Sequence, residues 1–117
     1  MARVLRRGDI VWADLRPTQG REQAGKRPIL ILSKDIFNTH SQTVIAMAIT
    51  SKEPKVGFPF TLKLDRVRMP KPSWVKISQI RTLDIVRLGD RIAGCPNDIM
   101  KKIILGLNQI ISEDRIP

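Results

Sequence analysis

The chain has 117 residues, room for one modest core, and 42% of them are hydrophobic, ordinary for a globular protein and above the range of a disordered one. Lysine and arginine number 21 against 11 aspartates and glutamates, a formal net charge of +10; a field of that sign draws in polyanions, so nucleic acid leads as partner class and an acidic protein segment also fits. The longest apolar runs, 28–32 and 44–49, are too short to cross a bilayer, and the basic residues are dispersed rather than gathered on one amphipathic helix, so a membrane role is disfavoured.

In chain order, the opening Met-Ala-Arg-Val-Leu-Arg-Arg turns polar without a signal-peptide stretch, so a soluble cytoplasmic protein is expected. Gly8 to Asp14 is a short apolar run between turn residues and predicts a strand. Pro17 through Gly25, with its two glycines and several charges, predicts a loop. Pro28 to Ser33 is apolar on both faces, hence a buried central strand that tolerates proline as its first residue. Lys34 to Gln42 forms a connection with a helical turn over 35–38, and Val44 to Ile49 is a second apolar strand. Period-2 alternation then turns Phe60, Leu62 and Leu64 inward, and Val75 and Ile77 alternate with Lys76 and Ser78 in the same way. Arg91 to Ala93 adds a last short strand. Ile99, Ile103, Leu107 and Ile110 recur at helical spacing after Pro96, so an amphipathic helix capped by Asn97 or Asp98 lies on the sheet. No repeat or linker divides residues 1–117, and a single α+β, mainly β domain is expected.

The inventory of reactive groups is narrow. His40 is the single histidine, Cys95 the single cysteine, and the carboxylates are scattered, so neither a zinc site, a two-metal nest, a P-loop nor a dinucleotide fingerprint is present. No metal or nucleotide cofactor is expected. The strands 28–33 and 44–49 are joined by about ten residues and pair most simply as antiparallel neighbours. A symmetric register sets Arg27 beside Thr50 and Ser51, while the preceding loop brings Glu22 and Lys26 to the same end of the sheet. Gln79 and Arg81 share parity with Val75 and Ile77 and so continue the inward face as that strand runs out. A cluster of Arg27, Thr50, Arg81 and Glu22 suits phosphodiester cleavage by the neighbouring 2′-hydroxyl. Arginine forks match phosphate oxygens, RNA brings its own nucleophile, and a carboxylate takes the proton. Charge and spacing alone do not select this reaction from others.

At these residues the sequence resembles the MazF/PemK (Kid) family of toxin endoribonucleases. The blocks are Gly8-Asp9-Ile10-Val11-Trp12, the run from Gly20 to Ser33 containing Glu22-Gln23-Ala24-Gly25-Lys26-Arg27-Pro28, then Ala48-Ile49-Thr50-Ser51 and Gln79-Ile80-Arg81-Thr82. They stand in the family's order through nearly the whole chain. The resemblance implies a compact SH3-like, CcdB-type antiparallel barrel with a C-terminal helix, usually a homodimer. It also implies metal-independent cleavage of single-stranded RNA to 2′,3′-cyclic phosphate and 5′-hydroxyl ends, with an antitoxin whose flexible acidic tail covers the site. By the family pattern Arg27 and Thr50 are catalytic, and Glu22, Gln79, Arg81, Ser51 and Lys26 are supporting or RNA-binding. Two departures stand out. Ala48 replaces a frequent proline, and the stretch Asp65 to Ser73, with Met69-Pro70-Lys71-Pro72, is this chain's own and bears on which RNA sequence is preferred.

Blander roles compete for several of these residues. Glu22 could pair with Arg21 or Lys26 in its loop, and Arg81 with Asp84. His40 reads as a surface histidine, Cys95 as a structural or surface thiol, and Trp12 and Trp74 as core or interface rings. Two rival functions share the charge: a CcdB-like gyrase-binding toxin and a plain SH3-like nucleic-acid-binding module. The first relies on a C-terminal tryptophan followed by Gly-Ile, whereas this chain ends Asp114-Arg115-Ile116-Pro117; the second leaves the Glu22–Pro28 block unexplained.

Overall fold

A computed structural model describes residues 4–16 and 25–113. Its frame is one six-stranded sheet, all of whose pairings are antiparallel, with a helix at the end of the chain. Strands β1 (Asp9–Asp14), β2 (Lys26–Ile31), β3 (Thr43–Thr50), β4 (Thr61–Lys63), β5 (Trp74–Asp84) and β6 (Leu88–Gly94) lie in the order β4-β5-β3-β2-β1-β6. Helix α1 (Asp35–Ser41) joins β2 to β3, and α2 (Asn97–Ile111) closes the chain. The mainly β chain with a terminal helix expected from the sequence is what the structure has.

The two continuously apolar strands sit at the centre because both of their faces are buried. Ile10, Leu30, Met47, Ile49, Val75 and Ile77 form one face, against Ile99, Met100 and Ile103 of α2. Val11, Ala13, Ile29, Ile31, Val44, Ala46 and Leu83 form the other, closed by Leu5 and Leu15. Buried Asn38 ties the connection down. Its side-chain amide donates to the Leu5 carbonyl at 2.7 Å and the Ser33 carbonyl at 3.1 Å, and the Ser33 hydroxyl receives the Ile45 N–H at 2.9 Å. This network explains why 35–41 is a full short helix rather than one turn.

Four expectations are corrected. Phe60 is not an inward strand residue: its N–H bonds the Gly57 carbonyl in a turn, strand β4 begins only at Thr61, and the ring is 47% exposed. Leu62 and Leu64 do face the core. Helix α2 is not capped by Asn97 or Asp98; Pro96 holds the capping position without a side-chain bond, and Asp98 lies in the first turn, where its charge complements the helix dipole. Of the two places expected for Trp12, core or interface, the core is ruled out, the residue being 41% exposed.

The fourth correction concerns β5. Met47 pairs with Ile80 but Ile49 with Val75, so β5 carries three more residues than β3 across this stretch. An odd excess reverses the alternation of side chains. Val75 and Ile77 therefore lie with α2, whereas Arg81, opposite Ala46, and Leu83, opposite Val44, lie on the other face. Gln79 and Arg81 do not continue the face of Val75 and Ile77.

Candidate active site

The strand β2 places the first candidate. Pro28, which lacks an N–H, is accommodated opposite Trp12, and Arg27 stands opposite Ala13. Across the other edge Ile29 pairs with Ala48 and Ile31 with Ala46, the register expected from the sequence. Continued by one further pair of positions on that side, it sets Arg27 against Thr50. Both side chains line one cleft of about 420 Å³, together with Ser51. Thr50 is 8% exposed, and its hydroxyl oxygen accepts the Lys52 N–H at 3.2 Å, which fixes the oxygen while leaving its proton for donation.

The same cleft is lined by Lys52, Lys71 and Lys76, so four cationic side chains converge on it with Arg27. No carboxylate lines it among the described residues. Trp12, Pro28, Met69 and Pro70 supply its apolar surface. Such a mixture fits a polyanion whose backbone is held by charge and whose bases stack or pack on apolar walls.

The remaining predicted residues lie elsewhere or beyond view. Lys26, one residue from Arg27 and so turned to the opposite side, lines a neighbouring cleft of about 540 Å³ that shares Trp12. That larger cleft is internally satisfied. Arg16 bonds Asp14 at 3.1 Å, and Arg87 donates to the backbone carbonyls of Asp14 and Arg16. Hydrogen bonds from the Arg16 side chain and backbone hold the Asp14 carboxyl at about 2, so it is a poor proton acceptor near neutrality. Gln79 and Arg81 line a third cleft of about 330 Å³, with Ala48 and Leu15. Ala48 is two residues from Thr50 on the same side of β3 and opposite Ile29, so this cleft continues the Arg27 side of the sheet. Glu22 lies outside the described residues. Asp84 uses its carboxylate to accept the Val86 N–H at 3.0 Å, and His40 is exposed in the last turn of α1.

Sequence reasoning missed Lys52 and Lys76 as site-lining residues and read Trp12 as a core or interface ring, while Lys71 belongs to the stretch it singled out for RNA sequence preference. Lys76 carried the one available signal, since its parity opposes the buried Val75 and Ile77, but that face was taken as solvent. Cys95 has no part in this cleft. Burial pushes its thiol up to about 11, Asp98 adding to the shift and Arg7 opposing it, so it is neither a thiolate nor a nucleophile near neutral pH. Among the described residues, no group of three or more His, Cys, Asp or Glu is placed to hold a metal ion.

Comparison with known proteins meets this geometry from outside. The family model for the PemK-like, MazF-like toxin of type II toxin–antitoxin systems matches residues 6–111. The chain is 38% identical over 102 residues to "Endoribonuclease EndoA" of Bacillus subtilis (strain 168), covering 86% of this chain and 88% of that protein. Its fold matches the crystal structure of MazF (Form-I) from Deinococcus radiodurans with a TM-score of 0.83 at 28% identity, over 94% of this chain and 98% of that one. The MazE-MazF (Form-II) structure from the same organism matches with a TM-score of 0.78 at 27% identity, over 97% and 100%. The chain belongs to the PemK-like, MazF-like toxins of type II toxin–antitoxin systems.

Proposed function

We propose that this chain is a toxin endoribonuclease that cuts single-stranded RNA by attack of the neighbouring 2′-hydroxyl on phosphorus, without a metal ion. The bond from phosphorus to the 5′-oxygen breaks, leaving a 2′,3′-cyclic phosphate and a 5′-hydroxyl. The observation that carries it is Arg27 and Thr50 lining one cation-lined cleft.

Negative charge builds on the non-bridging oxygens as phosphorus becomes pentacoordinate, and the Arg27 guanidinium, a rigid fork of N–H donors, meets two oxygens at once. The Thr50 hydroxyl donates a further bond. Guanidinium stays protonated, so Arg27 stabilises charge on the phosphate and donates hydrogen bonds to the departing 5′-oxygen, which takes its proton from solvent; it does not accept one from the 2′-hydroxyl. Glu22 is the candidate for that acceptance. Ser51 flanks the reacting phosphate in the same cleft, Lys26 meets the RNA further along in the neighbouring cleft, and Gln79 and Arg81 extend the strand's track along β3.

The toxin works as one domain and as a homodimer in the cytoplasm; no helix among the described residues is long and apolar enough to cross a membrane. Its partner is a cognate antitoxin whose flexible acidic tail folds over the basic cleft. Matched Deinococcus structures at 27% and 25% identity pair MazF with MazE, which supports this assignment.

The test uses purified protein and single-stranded RNA in excess chelator, with the new ends mapped chemically. Cyclic phosphate and 5′-hydroxyl ends are expected, and Arg27→Ala and Thr50→Val should each lower the rate on the order of a hundredfold or more. Intact RNA, or undiminished cutting by both variants, would remove the assignment.

A further inference from the structure

The stretch between β4 and β5 contains neither helix nor strand, yet it is closely tied. The Leu64 N–H bonds the Ser73 carbonyl at 2.9 Å, closing its base, and the Met69 N–H bonds the Val67 carbonyl at 2.9 Å. Ser73 is buried, and its hydroxyl donates to the Lys71 carbonyl at 2.8 Å. Val67 and Met69 pack against the core beneath α2, and Arg66, at φ 61°, pairs with Asp98 in the first turn of that helix. The surface ion pair adds little; the apolar anchors and the buried serine do the holding. So pinned, the segment presents Met69, Pro70 and Lys71 to the cleft that holds Arg27 and Thr50.

Arg27 and Thr50 meet atoms that every phosphodiester carries, so they cannot tell one RNA sequence from another. Discrimination needs groups in the same cleft that contact a base. Met69 and Pro70 are apolar and shape-selective, whereas the Lys71 ammonium has three donors for a carbonyl or ring-nitrogen acceptor on a base edge.

We propose that Met69, Pro70 and Lys71 form a specificity wall that reads the unpaired nucleobase beside the scissile phosphate. Met69 and Pro70 pack on the base, and Lys71 donates to an acceptor on its edge. The wall rests on the endoribonuclease assignment above, and the experiment separates the two.

The full chain is incubated with a randomised single-stranded RNA pool, and the 5′-hydroxyl ends are sequenced for wild type, Met69→Ala, Met69→Leu and Lys71→Met. Relative base frequencies at a nucleotide flanking the cut should shift roughly tenfold in Met69→Ala and Lys71→Met, the order expected when one base contact is lost. Met69→Leu, which conserves volume, should stay near wild type. Lys71 is exposed, so its variant leaves the fold intact and decides the matter even if Met69→Ala is unstable. Wild-type base frequencies in both Met69→Ala and Lys71→Met, at full or reduced overall rate, would overturn the wall and make Lys71 a phosphate contact. A wild-type protein that leaves the pool uncut would overturn the endoribonuclease assignment itself.

Discussion

Arg27 illustrates why residue type, and not charge alone, decides the chemistry. Four cations line the cleft, and any of them could hold a phosphate near Thr50 by Coulomb attraction. Only the guanidinium offers two parallel N–H groups matched to two phosphate oxygens. Arg27→Lys therefore keeps the charge and loses the fork. Single-turnover cleavage with saturating RNA should fall on the order of a hundredfold while RNA affinity changes less than about fivefold, since transition-state charge and not ground-state binding is being lost. A lysine variant within threefold of wild type would mean that Arg27 serves only as a counter-charge. Its place in the cleft was readable in the sequence because strand length and register follow from two apolar runs, and the pairing from Ile29 with Ala48 to Ile31 with Ala46 has that register. Those of Lys52 and Lys76 were not, since whether a lysine faces bulk water or a cleft depends on what packs across from it.

At the scale of elements, two features escaped the sequence for a common reason: both are set by contact between segments distant along the chain. The excess of residues in β5 reverses its alternation between Ile77 and Arg81, yet the sequence there keeps an unbroken period of two through Val75, Ile77, Gln79, Arg81 and Leu83. Nothing local marks a bulge that arises where β3 is shorter than its partner. Gly106 is the second case. Within α2 it costs about 1 kcal/mol relative to alanine by propensity, which argues for replacing it. An added Cβ, however, would sit 2.9 Å from both Ile77 Cδ1 and Phe58 Cε2 and 3.2 Å from the Pro59 carbonyl oxygen. The side-chain tips can shift, but the backbone oxygen cannot without moving the 57–60 turn. Overpacking of this kind costs ~1–3 kcal/mol and exceeds the propensity gain. Gly106→Ala should therefore lower stability by about 1 kcal/mol in urea titration with an unchanged slope; a more stable variant would show that α2 rides more loosely on β5 than the structure indicates. Helix α2 and the central strands were legible because Ile99, Ile103 and Leu107 recur at helical spacing in α2 and β2 and β3 are continuous apolar runs.

For the whole molecule, the question is how much of the +10 charge grips RNA and how much only steers it. Charges more than a Debye length from the strand, about 8 Å at physiological salt, are screened and affect encounter more than affinity. Contacts at the cleft release counterions, and for single strands the logarithm of the binding constant falls by about 0.7 per phosphate neutralised for each decade of salt. Arg27, Lys52 and Lys76 line the cleft as phosphate partners beside the base-reading Lys71, so a slope of about −2 is expected if the cleft supplies the grip and the dispersed charges do not. A slope approaching −7 would require roughly ten phosphate contacts and would assign binding to the whole basic surface. Three variants divide these cases. Lys52→Met and Lys76→Met, which remove charges inside the cleft, should each flatten the slope by about 0.7. Lys101→Met, on the exposed side of α2, should leave the slope unchanged and lower only the association rate, most visibly at low salt. Equal flattening by all three would show that the cleft has no privileged hold on the strand. In that case the proposed antitoxin tail would compete for the surface at large, and blocking the cleft alone would not silence the toxin.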